Sequence, residues 1–317
     1  NKVHDATPAA FAASAEDRGM DAELTRDIIE NEVDVVLGGG GGDFSDDVMN
    51  LAEEKGYKHI TTEDELANTD SDKILGLFND SYMNYILDRD DLNSKEPNVY
   101  EMTKKSIDVL SKDEDGFFLM SEGARIDHAA HADDIPGVVA ETLDFDKAVK
   151  YSVDWAKENG DTLVVVVADH ETMGFSVTEP IDKEALKDIE VSPEYMAGKM
   201  IEKDDGNGFL IESIKDVFKE YADVELSDEE AKEFNESILQ EDGSLKYPYL
   251  IGYQIGSIIA EKYDAGSISP EVRAKSSTAG HTLNSVPIFA YGEGSEEFND
   301  VIQNTEFAEL LFEALGK

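Results

Sequence analysis

Six histidines occur in the 317 residues, and three of them stand beside carboxylates in two short clusters. The first cluster is Glu122-Gly123-Ala124-Arg125-Ile126-Asp127-His128-Ala129-Ala130-His131. It follows an apolar run, Gly116–Met120, that reads as a buried strand. Glu122 would then lie at the carboxyl end of a strand, where open α/β sheets place their ligands. A helix after it puts Asp127 and His131 at i, i+4 on one face. Carboxylate plus imidazole at that spacing is half of a Zn²⁺ site, although a plain ion pair on a helix surface would use the same spacing. The second cluster, Ala168-Asp169-His170, directly follows the run Val164–Val167. Polar groups emerging from the end of a buried strand are costly unless they bind something; the simpler alternative is a capping Asp with a loop His beside it. His281 sits in a loop of small residues, Ser276–Thr282, and is weak taken alone. With no cysteine in the chain, only O and N donors are available. That suits Zn²⁺ where imidazoles collect and Mg²⁺ where only oxygens do. Two such ions close together are a device for phosphoryl transfer.

The remaining candidates are poorer. Gly38 to Gly42 lacks the spacing of a dinucleotide fingerprint, and no Gly-Lys-Ser/Thr follows, so a tight strand-to-loop connection is expected. His4 and His59 show no partner pattern and are expected at the surface.

The elements that must position these residues alternate between helix and strand patterns, which indicates an α/β protein with a mostly parallel central sheet and helices on both faces. Strands are expected at Val33–Leu37, Lys73–Phe78, Gly116–Met120, Leu163–Val167 and Val286–Gly292. Helices are expected near Leu24–Ile29, Val48–Lys55, Met102–Leu110 and Val138–Glu158, and at the C-terminus, where Phe307, Leu310, Leu311 and Leu315 share a face. Thr7 is expected to cap a first helix with Pro8 at its first position. From about 180 to 270 the chain turns polar and helical, poor in ligand candidates. The expected organisation is an α/β metal-binding core over 1–179, a mainly helical insertion over 180–270 forming a lid or dimer contact, and a return to the core over 271–317.

Acidic residues number 72 and basic ones 27, a formal charge of −45. Such a chain is a poor partner for nucleic acid, which is bound by Lys/Arg-rich surfaces. It also suits an anionic membrane badly, and no apolar run is long enough to span one. The carboxylates are spread along the whole chain rather than gathered in a tail. Self-repulsion on this scale is relieved when salt shortens the Debye length, so adaptation to a saline environment is expected.

Three stretches carry a family resemblance. Glu122–His131, Val167-Ala168-Asp169-His170-Glu171-Thr172 and Ala279-Gly280-His281-Thr282 resemble the metal-binding motifs of alkaline phosphatases. Asp5-Ala6-Thr7-Pro8-Ala9-Ala10 resembles the segment just after that family's nucleophile region, Leu37–Gly40 its glycine turn, and Asp144–Val149 the helix after the first metal motif. The match runs in family order from about residue 3 to the C-terminal helix, omitting 180–270. Any one motif is modest; all of them in order are specific.

The resemblance implies two Zn²⁺ and one Mg²⁺. Asp127, His131 and His281 match the ligands of one zinc. Asp169 and His170 match two ligands of the other. Thr7 and Glu122 match the magnesium site, with Asp5 beside it through water. Arg18, thirteen residues after Asp5, matches the arginine that grips phosphate; a guanidinium fork fits two phosphate oxygens. His128 matches a position that tunes phosphate affinity. The implied activity is hydrolysis of phosphate monoesters through a phosphoserine, with the nucleophile upstream of Asn1 and therefore not among these residues. A homodimer and a periplasmic or extracellular location, with the signal region outside this chain, are implied too. A related phosphodiesterase or sulfatase, or a catalytically inactive metal-binding fragment, are the alternatives.

Overall fold

The computed structural model describes residues 1–176, 181–204 and 206–316. In chain order the first elements are α1 (Thr7–Ala12), α2 (Asp21–Glu30), β1 (Val35–Gly38), α3 (Asp46–Glu54), β2 (Lys58–Ile60), α4 (Glu63–Asn68), β3 (Ile74–Leu77) and α5 (Val99–Leu110). There follow α6 (Arg125–His131), α7 (Ile135–Asn159), β4 (Leu163–Val167), β5 (Glu171–Thr172), α8 (Lys183–Lys187), α9 (Pro193–Lys199), α10 (Ile211–Ala222) and α11 (Asp228–Ser237). The last are α12 (Pro248–Lys262), α13 (Pro270–Arg273), β6 (His281–Thr282), β7 (Ile288–Gly292) and α14 (Asn304–Ala314). Two compact units divide the chain. One is built from Asn1–Ala124, Thr142–Val164 and Tyr291–Ser295; the other from Arg125–Glu141, Val165–Ala290 and the chain from Glu296 on.

In the first unit β1, β3 and β2 form a parallel sheet in that order, with Ile74 of β3 opposite both Val35 and Lys58. Strand side chains alternate between faces, and β3 uses both. Leu75 and Leu77 pack with Ile28 and Ile29 of α2 and Val48 and Ala52 of α3. Ile74 packs with Leu66 of α4 and Val109 of α5. Helices therefore cover both faces, as expected for parallel strands with no polar side. Local chemistry fixes where the helices begin. Asn98 and Glu101 form a reciprocal capping box on α5, and the Ser45 and Thr62 hydroxyls cap α3 and α4.

The glycine run closes β1 without forming an anion cradle. The amides of Gly39, Gly40, Gly41 and Gly42 donate to the carbonyls of Asn1, Ser81, Asn79 and Asp80 at 2.7–2.9 Å. A Cβ on Gly39 would lie 2.2 Å from the Ser81 carbonyl.

The α/β class expected from the alternation is what the structure shows, but three details differ. Among the described residues, Gly116–Met120 forms no strand. Phe117 packs edge-on to Trp155 and Phe118 stacks on Phe11, so the apolar run serves aromatic contacts rather than a ladder. Thr7 is the first helical residue and not the cap; Ala6 holds that place at φ 42° with no side-chain bond. The strand pairs outside the parallel sheet are short: β4 lies beside β7, and β5 pairs antiparallel with β6.

The second unit has its own core, made almost entirely by the stretch that looked like an insertion. Met196, Ile214, Phe218, Ile238 and Ile255 are fully buried in one cluster, each side chain contributing about 1.5–3 kcal/mol. The units cut the chain differently from the three segments drawn from sequence. Helix α6, with Asp127 and His131, groups with the 181–270 helices because its chain neighbours pack on them. Gly256 of α12 shows how closely: a Cβ there would lie 1.6 Å from the Ala132 carbonyl. The boundary expected at 179/180 falls outside the described residues.

Candidate metal centre

Helix α6 sets the first two donors. Its i, i+4 spacing brings Asp127 Oδ2 to 3.4 Å from His131 Nε2. The β5–β6 ladder sets the rest. It pairs Thr172 with His281 and Glu171 with Thr282, so His281 arrives opposite the residues just after His170. His281 Nε2 stands 3.1 Å from His131 Nε2 and 3.7 Å from Asp127 Oδ1. The His170 and His281 rings stack with centroids 3.6 Å apart. Asp169 Oδ2 lies 3.2 Å from His170 Nε2. Ligand atoms of Asp127, His170 and His281 all fall within 4.8 Å of one another.

The tautomer of His131 follows from its partners. A carbonyl can only accept, so Nδ1 carries the proton and donates to Ala279 O at 2.9 Å. Nε2, the other nitrogen, faces His281 and Asp127. Burial lowers the His281 pKa, with His170 and His131 acting in the same direction, which keeps its imidazole neutral. Imidazoles and a carboxylate converging on one point are groups that ligate a metal ion once deprotonated. Nitrogen and oxygen donors without sulfur fit Zn²⁺.

A supporting layer orients the donors. The Thr172 hydroxyl donates to Asp127 Oδ1 at 2.6 Å. The Tyr253 ring of α12 stacks on His131, centroids 5.8 Å apart. Buried Arg273 donates through Nη1 to the His131 carbonyl at 3.0 Å and to Asp133 Oδ2 at 3.2 Å. Ser257 donates to the same carboxylate oxygen at 2.6 Å. Desolvation raises the Asp133 pKa, partly opposed by Ser257, Ser267 and Arg273. Sequence reasoning missed Tyr253, Ser257 and Arg273, which act through neighbours at no motif-like spacing. Thr172 could have been found, since it closes the Asp-His-Glu-Thr run.

The other expected site residues stand as follows. His128 Nδ1 is 3.1 Å from Arg125 Nη1. Arginine can only donate, so His128 accepts there and carries its proton on Nε2. In the first unit Arg18 Nη2 donates to Asp5 Oδ1 at 2.7 Å, and the Tyr82 hydroxyl to Asp5 Oδ2 at 3.1 Å. Thr7 opens α1, and Glu122 lies in the stretch before α6. Asp5, Thr7 and Glu122, the expected magnesium set, all belong to the first unit. His59 is exposed, as expected. His4, expected at the surface, is completely buried.

The parallel sheet marks an α/β protein, and the imidazoles and carboxylates gathered after a strand end make a candidate metal centre. The chain belongs to the alkaline phosphatase family, whose model matches residues 1–317. It is similar to alkaline phosphatase 4 of Bacillus subtilis, 34% identical over 99% of this chain and 66% of that protein. Alkaline phosphatase 3 of the same organism is 32% identical over the same shares. The chain thus spans just under two thirds of these relatives. Among solved structures, the cold-active alkaline phosphatase of Shewanella sp. matches with TM-score 0.80 and 29% identity, over 100% of this chain and 74% of that one. The Thermus thermophilus alkaline phosphatase gives TM-score 0.83 and 25% identity, over 99% and 69%.

Proposed function

We propose that the protein hydrolyses phosphate monoesters in a metal-dependent reaction, through a phosphoserine whose serine lies outside residues 1–317. The observation that carries this reading is the convergence of Asp127, His131, His170 and His281 from three distant stretches. Asp127, His131 and His281 would hold one Zn²⁺, and Asp169 with His170 a second. Bound there, zinc supplies a Lewis acid for phosphate oxygens and lowers the pKa of coordinated water or alcohol. A magnesium site at Thr7, Glu122 and Asp5 rests on the family resemblance; one similar structure, a TAB5 alkaline phosphatase mutant, has Mg bound in its M3 site.

The chain's own groups have separable tasks. Arg18 presents a guanidinium fork to two non-bridging oxygens of the phosphoryl group, and Asp5 holds that fork in place. His128, fixed by Arg125, offers Nε2–H as a donor that tunes phosphate affinity. Thr172 and the Ala279 carbonyl keep Asp127 and His131 in ligand geometry. An overall charge of −45 opposes an anionic substrate, so local positive charge must dominate at the site. Homodimer formation, a periplasmic or extracellular site of action and adaptation to high salt belong to the same reading.

The test is to measure turnover of the complete protein on a nitrophenyl phosphate monoester, the matching diester and the sulfate ester, with and without chelator. Monoester preference abolished by chelation and restored by Zn²⁺ supports the reading. Preference for the diester or sulfate moves the assignment to a related hydrolase, and zinc content without turnover to an inactive relative.

A further inference from the structure

One histidine outside that centre is buried without a hydrogen bond. His4 has no solvent exposure, and neither of its ring nitrogens is hydrogen-bonded. A fully buried polar group in this condition calls for an ion or water as its missing partner. Its ring is fixed on two sides. Gly40, at φ +89°, passes so close that a Cβ would meet His4 Cε1 at 2.6 Å, and Phe44 packs edge-on at 6.0 Å between centroids. Held this way, Nε2 points between two carboxylates, 3.2 Å from Asp43 Oδ2 and 3.5 Å from Asp21 Oδ1. Asp21 opens α2, and Asp43 sits in the single turn that follows the glycine run. The three donor atoms lie within 4.8 Å of one another.

We propose that His4, Asp21 and Asp43 bind one divalent transition ion, Zn²⁺ or Mn²⁺, at a structural site separate from the centre described above. One imidazole nitrogen with two carboxylate oxygens favours these ions over Mg²⁺ and Ca²⁺, which take oxygens alone. Lys2 Nζ stands 2.8 Å from Asp43 Oδ2 and competes with the ion for that oxygen. The charges of Asp21, Asp43 and Lys2 sum to −1, which leaves a dication favoured. Such an ion fastens three separate stretches: the segment entering α1, the start of α2 and the turn after β1. The segment it holds carries Asp5 and Thr7, so the site would steady the presentation of both.

The test uses the full chain carrying His131→Ala and His281→Ala, stripped with chelator, then titrated with Zn²⁺ alone and Mn²⁺ alone. Calorimetry should find, whatever else that chain still binds, about one equivalent that is lost or weakened at least about tenfold by Asp21→Asn, by Asp43→Asn and by His4→Gln. Lys2→Met should tighten it. Asp21 and Asp43 side chains are 46% and 28% exposed, so those two variants carry the test should His4→Gln fail to fold. The proposal is overturned if the stripped chain binds no ion. It is equally overturned if Asp46→Asn/Asp47→Asn, an exposed acidic pair nearby, weakens binding as much as Asp21→Asn does.

Discussion

His131 and His281 stand 150 residues apart in the chain, yet their Nε2 atoms face each other at 3.1 Å. With the His131 proton committed to Ala279, this approach is favourable only with a proton or a cation between the two nitrogens. His281→Ala in the complete protein should therefore lower bound zinc and cut monoesterase turnover by roughly 100-fold or more. Zinc content and turnover equal to the parent's would remove the assignment.

Thr172 acts through Asp127, to which its hydroxyl donates. Thr172→Val keeps the shape and deletes the donor to Asp127 Oδ1. Metal affinity should fall by roughly 10–100-fold, while global stability changes by only about 1 kcal/mol. Competition against a chelator of known affinity, alongside urea unfolding, separates the two effects. Equal loss of stability and affinity would make Thr172 a packing residue.

Arg273 and Asp133 form a buried pair, 5% and 1% exposed at the side chain. Arg273→Met leaves a buried carboxylate uncompensated, at a cost of about 3–5 kcal/mol in urea unfolding. Adding Asp133→Asn to that variant should recover part of the loss. An additive double mutant would deny the coupling.

The two ammonium groups of Lys55 and Lys73 hold Glu32 at a pKa of about 2, below its usual 4.5. Lowered in the folded state, this group adds stability above pH 4.5 that is lost as the pH falls towards 2. The residue is exposed, so the effect is small and screened by salt. Glu32→Gln should flatten the acid limb of thermal stability only in that window and only at low ionic strength. The loss should be constant from about pH 5 to neutrality and vanish towards pH 2; a loss that persisted at pH 2 would need another cause.

With 72 acidic against 27 basic residues, repulsion should fall as the Debye length drops from about 10 Å at 0.1 M salt to about 3 Å at 1 M. The melting temperature and monoesterase rate are both expected to rise over that range in KCl. A maximum of either in salt-free buffer would count against salt adaptation.

Helix periodicity made the Asp127–His131 pair visible in sequence, because i, i+4 spacing has one geometric meaning. The parallel sheet was expected from the alternation of helix and strand patterns, but the run Leu163–Val167, read as a buried strand apolar on both faces, is only partly buried and lies beside β7 outside that sheet. His281 was different. Nothing in its small-residue loop marks it, and only the family resemblance singled it out. Gly116–Met120 misled because an apolar run does not distinguish a ladder from an aromatic contact. Tyr253 and Arg273 left no trace because a ring or cation acting through a neighbour follows no period. His4 was expected at the surface because a lone histidine in a polar segment carries no signal of what folds over it.

The pairing of β5 with β6 has a consequence for biogenesis. At ordinary rates of translation, His281 leaves the ribosome roughly 8–30 s after His131. Until then the nascent chain offers Asp127, His131 and His170 without their last partner, and any ion captured early is held by an incomplete set. An ion at this centre would find its full donor set only once synthesis has passed His281, after the helices between His170 and His281 have had time to collapse.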